Sequence, residues 1–548
     1  MKKRNISSII IIILSLTIAT SFIWGAVADY SEKSGEHEWT LLIYFAADND
    51  FENEIEDLLS TLEEIDNSEG KLEILVMVDK ISSEGAWIYE IVDNKRTLVM
   101  EYFEKNTANS LVLEEFVEFG IQNYPSEKIL LSIKGHGYGW RGICLDITSD
   151  NLVMNTNDFV NALRGKGIDL LLLDGGSMAS MEVAYELRNV VSYMIASETS
   201  IPSEGMPYDI FFDNLALNPE ISVVDFAEEM VDDFYNENLL QDSATISVFN
   251  MSNIDLVGDA FRDVTKVLMG KMEQYRNIVA QSRDHSLIDP TGSILCTNYM
   301  VDGYKFFDEI LSIPDSDLQR KIQKFEQIFN NSLISEAHSH QFRDIPHGLN
   351  LWFPPTLKKY QSEGATLNGQ IYYDNCSLDF LSNSYWVHCL MDYYGVLPKS
   401  FNLTSDADSP DIDGCFTLNW TTSIRADTYS VFMDHSSITI LNDSVTQIKS
   451  GLTCNSFKIE NIENGTYYFV IAAYNEYIYR LSNCEGLSVQ IPPNTNDDNN
   501  ENPPEPPLPE PIPPDTFGIY LTTFIIIGTI LIGVISVTLY NRRVKIKR

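Results

Sequence analysis

Two short glycine-rich turns hold the residues most able to do chemistry. The first is Lys134-Gly135-His136-Gly137-Tyr138-Gly139-Trp140, and the second is Asp174-Gly175-Gly176-Ser177-Met178. Glycines on both sides of one histidine let the backbone turn tightly and leave an imidazole free to move a proton. His136 reads as exposed in a cleft, as a donor there or as a relic; burial is the alternative. The second turn runs straight into a helical pattern, so its N–H groups can point outward and hold an oxyanion or other anion. Ser177 offers a hydroxyl but needs an activating base beside it. A helix N-cap is its plainer role. A third turn, Ala47-Asp48-Asn49-Asp50, places Asp50 to cap the next helix.

These turns need a frame, and the chain supplies one. Strand patterns at 40–46, 72–78, 128–133, 169–173 and 191–197 alternate with helical patterns at 52–64, 111–123, 156–164 and 178–190. Such alternation predicts an α/β fold with a largely parallel sheet covered by helices. The runs Ile129–Ile133 and Leu170–Leu173 are apolar almost throughout, as buried central strands should be. In open sheets of this kind ligands bind beyond the carboxyl ends of the strands, where all three turns lie.

The rest of the chain divides by composition. Residues 400–491 show short β-branched and aromatic runs separated by Asn, Asp, Gly and Ser, the pattern of a β-sandwich. Phe416–Trp420, Tyr429–Phe432 and Gly465–Tyr474 resemble a fibronectin type III domain, with Trp420 as its core tryptophan and Tyr467 as a late-strand aromatic. Residues 492–515 are rich in Pro, Asn, Asp and Glu and read as an extended stalk. Residues 517–540 carry no charge and are long enough to cross a bilayer as one helix. The tail at 541–548 has five positive charges and no acid, which keeps it cytoplasmic. At the other end, Lys2, Lys3 and Arg4 precede an apolar stretch and Ala26-Val27-Ala28, the form of a signal peptide covering residues 1–28. An uncleaved N-terminal anchor would give the same topology. The expected localisation is the cell membrane, single-pass, with the large domain outside and the C-terminus in the cytoplasm.

Charge and cysteine usage fit that compartment. The net charge is -42, from 37 basic and 79 acidic residues. This balance lacks the basic face that phosphate neutralisation needs, which argues against nucleic acid as a partner. Seven cysteines, at 144, 296, 376, 389, 415, 454 and 484, leave at least one thiol unpaired even where disulfides are permitted. No Cys-x-x-Cys or His-x-x-x-His pair suggests zinc. Asp48, Asp50, Asp146 and Asp150 are acids near strand ends, of the type calcium prefers, but they form no EF-hand pattern and solvated caps and turns are their plainer reading. No metal ligand is assigned.

Residues 37–397 resemble the clostripain family of cysteine peptidases, with its caspase-like three-layer sandwich. The ordered pieces are Trp39–Asp50, His136–Trp140, Arg141–Thr148, Asp174–Leu187, Ala196–Thr199 with Gly205–Tyr208, Gly348–Pro354 and Leu378–Phe380. The resemblance implies cleavage after Arg or Lys by a His–Cys dyad, in which a thiolate attacks and the histidine protonates the leaving amine. His136 matches the family histidine. The family turn is Asp-Ala-Cys-x-Met, and Gly176 stands at the cysteine's position. Asp174 matches the acid that receives a basic substrate side chain, which implies a polypeptide with basic side chains as partner. Calcium enters only through the resemblance, because family members commonly require it. Cys144 lies in a strand-like segment and reads as a small core residue.

Three functions follow as expectations. The first is a catalytically inactive surface homologue that binds or scaffolds. The second is an active peptidase with a non-standard nucleophile. The third is a structural surface protein.

Overall fold

A strand inside the chain's largest described sheet, with Leu-Leu-Leu-Leu from Leu170 to Leu173, is apolar on both faces because both faces are covered. In a computed structural model, residues 37–492 are described apart from 68, 83–84, 204, 239–243, 289–298, 340–341, 343–344, 366–371 and 443. The expected signal peptide, stalk, membrane helix and basic tail lie outside the described residues. Among the described residues no helix is long and apolar enough to cross a membrane.

Among the described residues, thirteen strands belong to the α/β region. They are β1 His37–Phe45, β2 Leu72–Asp79, β3 Ala86–Val92, β4 Lys95–Tyr102, β5 Ser126–Lys134, β6 Ile143–Asp146, β7 Leu152–Met154, β8 Ile168–Asp174, β9 Val191–Ala196, β10 Thr245–Asn250, β11 Met300–Asp302, β12 Leu333–His338 and β13 Asn350–Trp352. Nine form one sheet in the order β12-β10-β9-β8-β5-β1-β2-β3-β4. The centre is parallel, through the pairs β8 with β9, β5 with β8, β1 with β5 and β1 with β2. Both edges are antiparallel, which gives the sheet an extension at β3 and β4 that the alternation of strand and helix does not announce. β6 pairs with β7 as a hairpin, and β11 with β13.

Period-two alternation sends neighbouring side chains to opposite layers. Leu131, Ile133, Leu171 and Leu173 join one core with Phe116, Phe159, Val183 and Phe261 from helices Ser110–Asn123, Thr156–Leu163, Met181–Leu187 and Ile254–Met269. Leu130, Leu170 and Leu172 join the other core with Leu59, Phe211 and Phe226 from helices Ile55–Glu63, Tyr208–Leu217 and Val223–Asn238. The resulting helix–sheet–helix sandwich is the layered α/β architecture expected from the sequence. Helix Met181–Leu187 starts later than the apolar periodicity predicts, because the turn after β8 needs Ser177 at φ +61, a left-handed conformation that no helix tolerates.

Residues 403–489 form two antiparallel sheets. One orders β14 Leu403–Ser405, β15 Phe416–Trp420 and β18 Ser456–Ile459. The other orders β17 Thr446–Leu452, β16 Thr428–Asp434, β19 Gly465–Tyr474 and β20 Tyr479–Leu481, with β21 Glu485–Val489 also on β19. Trp420 is buried, its ring 5.6 Å from that of Tyr429. This region packs onto the α/β region. Asn475 Nδ2 donates to Val396 O at 2.8 Å, the rings of His388 and Tyr479 lie 5.1 Å apart, and Arg480 pairs with Asp392 at 3.8 Å.

The two-layer core makes a quantitative expectation. Leu171 is fully buried on the central strand. Leu171→Ala should destabilise the chain by about 2–5 kcal/mol in chemical denaturation, and a loss below about 1 kcal/mol would contradict the packing.

Candidate functional site

The parallel register brings the ends of β5 and β8 side by side, with Ile133 beside Leu173 and Lys134 beside Asp174. The turns that leave these ends are therefore pressed together. Gly135 N donates to Asp174 O at 3.1 Å. A Cβ on Gly137 would stand 2.3 Å from Gly176 O and 2.6 Å from Gly176 N. One on Gly175 would stand 2.8 Å from Gly135 O. Two backbones thus pack directly on each other, and only glycine allows it at these positions. Gly176 itself is half-buried, and it is not among the glycines with positive φ. No left-handed backbone therefore demands glycine there.

His136 projects from this junction with its side chain 27% exposed. Its Nε2 meets Asp50 Oδ1 at 2.6 Å, and its ring stacks on Phe51 with centroids 4.1 Å apart and planes 20° apart. The hydrogen bond to His136 holds the Asp50 carboxyl below the usual carboxylate range. Asp50 is not a helix cap. Asn49 is, with its side-chain oxygen accepting from Phe51 N at 2.9 Å, because Asp50 is turned towards the imidazole. The histidine is therefore oriented by a carboxylate on one side and an aromatic face on the other, as a proton carrier would be.

Asp174 is the last residue of β8 and only 3% exposed. Its Oδ2 accepts from Tyr208 Oη at 2.8 Å, Lys134 Nζ at 3.4 Å and Met206 N at 3.4 Å. Lys134 closes β5 and is equally buried. Its ammonium also reaches Ser203 O at 3.4 Å and lies 5.2 Å from the Phe45 ring centroid. Gly205, at φ +86, makes room: a Cβ there would stand 2.1 Å from Lys134 Nζ. The carboxylate that resemblance assigns to a basic substrate side chain thus already holds a basic side chain of its own chain. Sequence reasoning placed Lys134 only as the first residue of a loop. Its signal was the lysine ending an otherwise apolar strand.

The other nucleophile candidates are placed apart from His136 chemistry. Ser177 is fully buried and its Oγ has no hydrogen-bond partner among the described residues, so no base activates it. Nor does it cap the helix. Ser180 does, accepting from Val183 N at 3.1 Å. Cys144 is fully buried, and burial together with Asp146 pushes its thiol far up. Burial pushes the Cys376 thiol up to about 12 and the Cys389 thiol well above its ordinary value. The six described cysteines are all free. Cys296 lies outside the described residues.

A second group of acids gathers beside this site. Asp48 follows β1, Asp79 ends β2, Glu104 follows β4 and Asp146 ends β6. One carboxylate oxygen from each lies within 4.8 Å of all the others. Burial, then Glu104, Asp146 and Asp48, push the Asp79 carboxyl up to about 8. Two of these acids, Asp48 and Asp146, are among the candidate oxygen ligands read from the sequence. Asp79 and Glu104 are not, although an acid ending the strand Leu-Glu-Ile-Leu-Val-Met-Val-Asp was a legible signal. Asp150 is exposed in a turn at φ +61 and stays out of the group.

Comparison with known proteins agrees with this architecture. The model of the Clostripain family matches residues 43–492. Clostripain of Hathewaya histolytica is 24% identical over 236 residues, which are 34% of this chain and 44% of that protein. The chain thus spans less than half the length of that curated relative. A secreted C11 cysteine protease from Bacteroides thetaiotaomicron, solved in complex with an irreversible peptide inhibitor, shares the fold with a TM-score of 0.50 at 18% identity, over 64% of this chain and 99% of that one. An inactive zymogen C11 protease from Parabacteroides distasonis matches with a TM-score of 0.49 at 20% identity, over 64% of this chain and 98% of that one.

The buried pair yields a stability test. Lys134→Ala leaves the Asp174 charge without its ammonium and should cost about 3–5 kcal/mol. Adding Asp174→Asn should return part of that loss, giving a coupling above about 1 kcal/mol in a denaturation cycle. Purely additive losses would contradict the pairing.

Proposed function

The chain belongs to the clostripain family, and we propose that it is a member without the covalent chemistry: an inactive peptidase homologue displayed at the cell surface as a binding or scaffold protein. The observation that carries this reading is Gly176. The His–Cys mechanism needs a thiolate at that place in the turn, and glycine has no atom to attack with. Ser177 and the described cysteines of the α/β region do not replace it, for the reasons of burial already given. His136 keeps its orienting partners, so one half of the dyad remains as a potential hydrogen-bond donor in the cleft.

A polypeptide with basic side chains is the partner proposed for this cleft. It must compete for Asp174 with Lys134, so wild-type recognition at that carboxylate is weak and selective for segments that also satisfy the surrounding backbone. The fibronectin type III-like region, the stalk and the membrane helix complete the reading: they hold the cleft away from a membrane whose cytoplasmic side carries the basic tail. An active peptidase with a non-standard nucleophile is the competing proposal, and a purely structural surface protein is the third.

Hydrolysis separates the first two. The full-length chain, incubated with Arg- and Lys-containing fluorogenic peptides, should release no more product than the buffer blank. Turnover by the wild-type chain that disappears in His136→Ala would contradict the inactive reading.

A further inference from the structure

A cavity of about 320 Å³ opens at the seam between the α/β region and the β-sandwich region. Helix Leu357–Glu363, the turn Tyr373–Asn375 and the tip of the β19–β20 hairpin form its walls. The hairpin tip is firmly held. Asn475 N donates to Ile478 O at 3.0 Å, and Asn475 Oδ1 accepts from Tyr477 N and Ile478 N, each at 3.0 Å. Its Nδ2 donates to Val396 O at 2.8 Å, which ties the tip to the end of the α/β region. Three tyrosines, Tyr360, Tyr372 and Tyr477, and two carboxylates, Asp374 and Glu476, line the cavity. Among the described residues no lysine, arginine or histidine lines it. The Tyr360 ring is wedged between those of Trp352 at 5.4 Å and Tyr394 at 5.9 Å. Tyr360 is 6% exposed, and its Oη is buried with no hydrogen-bond partner among the described residues. A buried phenol normally finds a partner, so this one awaits a ligand or water.

We propose that this cavity binds an ammonium group on an aliphatic stem, the chemistry of a lysine side chain or a free alkylamine. Tyrosine faces attract a cation through the ring quadrupole. Asp374 and Glu476 balance its charge, and the Tyr360 hydroxyl oxygen can accept one of its N–H groups. Leu357 and Met391, also in the lining, offer the stem an apolar wall. A bare metal ion fits worse, because two carboxylates among phenols and a thioether fall short of the oxygen shell that calcium or magnesium takes. An anion is repelled by both acids. The chain's net charge of -42 draws cations to its surface in general. The volume is at the lower end for small-ligand pockets, about 300 Å³, so it takes one side chain and not a folded element. None of these residues belongs to the turns after β5 and β8, and the inference stands apart from any binding at Asp174.

The probes are the peptide acetyl-Gly-Lys-Gly-amide and pentylamine, titrated calorimetrically into the full-length chain. The same peptide with norleucine for lysine is the neutral control. The lysine peptide should bind the wild type, and the norleucine peptide about tenfold more weakly or not at all. Asp374→Asn combined with Glu476→Gln, both at exposed positions, should weaken the lysine peptide by about fivefold to tenfold and leave the melting temperature unchanged. If that double variant melts lower, Tyr477→Ala carries the same comparison. Pentylamine binding as tightly as the peptide supports the site with a free amine as its ligand; tighter peptide binding supports it with a polypeptide lysine. No binding of either probe, or equal binding of the norleucine peptide, would overturn the proposal. Lysine-peptide binding that survives the seam variants but disappears in Asp174→Asn would place it in the His136 cleft and overturn the proposal too.

Discussion

Backbone touching backbone at the end of the sheet is the constraint from which the site follows. The turn after β5 and the turn after β8 lie so close that a Cβ on Gly137 would strike the Gly176 backbone and one on Gly175 would strike Gly135 O. That contact exists because the two strands are parallel neighbours in fixed register, with Lys134 opposite Asp174. Parallel strands end at one edge of the sheet, so consecutive βα turns converge there. The glycines then allow the approach, and His136 is squeezed outward onto Phe51 and Asp50. Slipping the register by one residue would turn Lys134 and Asp174 to opposite faces and bury the histidine's neighbours on the wrong side.

The same register creates the electrostatic problem that the chain solves internally. A lysine and an aspartate ending adjacent central strands on the same face are both driven out of water. They are tolerable only as a pair, and Tyr208, Met206 and Ser203 complete the donors and acceptors around them. The consequence for the proposed partner is direct: the carboxylate proposed to receive its basic side chain already holds the ammonium of Lys134. A second acidic group gathers nearby: Asp48, Asp79, Glu104 and Asp146 each bring a carboxylate oxygen within 4.8 Å of the others. This end of the sheet therefore carries both an acid paired with a lysine and a close group of acids, with Asp50 of the same loop as Asp48 on His136.

Much of this fold is legible in the sequence, because the signals are local. Apolar runs such as Leu170–Leu173 identify central strands, and Ile55, Leu58, Leu59 and Leu62 identify a helix face. The antiparallel extension through β3 and β4 is harder, since its strands are partly exposed and carry mixed residues. Within the site, His136, Asp174 and Gly176 stand out by motif. Lys134 does not, because its partner is set by strand register across 40 residues of chain. Asp79 shows as an acid ending an apolar strand, but its grouping with Asp48, Glu104 and Asp146 does not, because a cluster assembled from separate strand ends has no spacing to recognise. Ser177 and Ser180 are both good capping residues by type, and only the left-handed turn at Ser177 decides between them.

The claim that the cleft lacks a nucleophile is tested most directly by covalent trapping. A lysine-terminated peptidyl electrophile is incubated with the full-length chain carrying Cys454→Ser, which removes the exposed thiol, and adducts are mapped by peptide mass spectrometry. The account predicts no modified residue within 134–140 or 174–178. A stoichiometric adduct in either turn would contradict it.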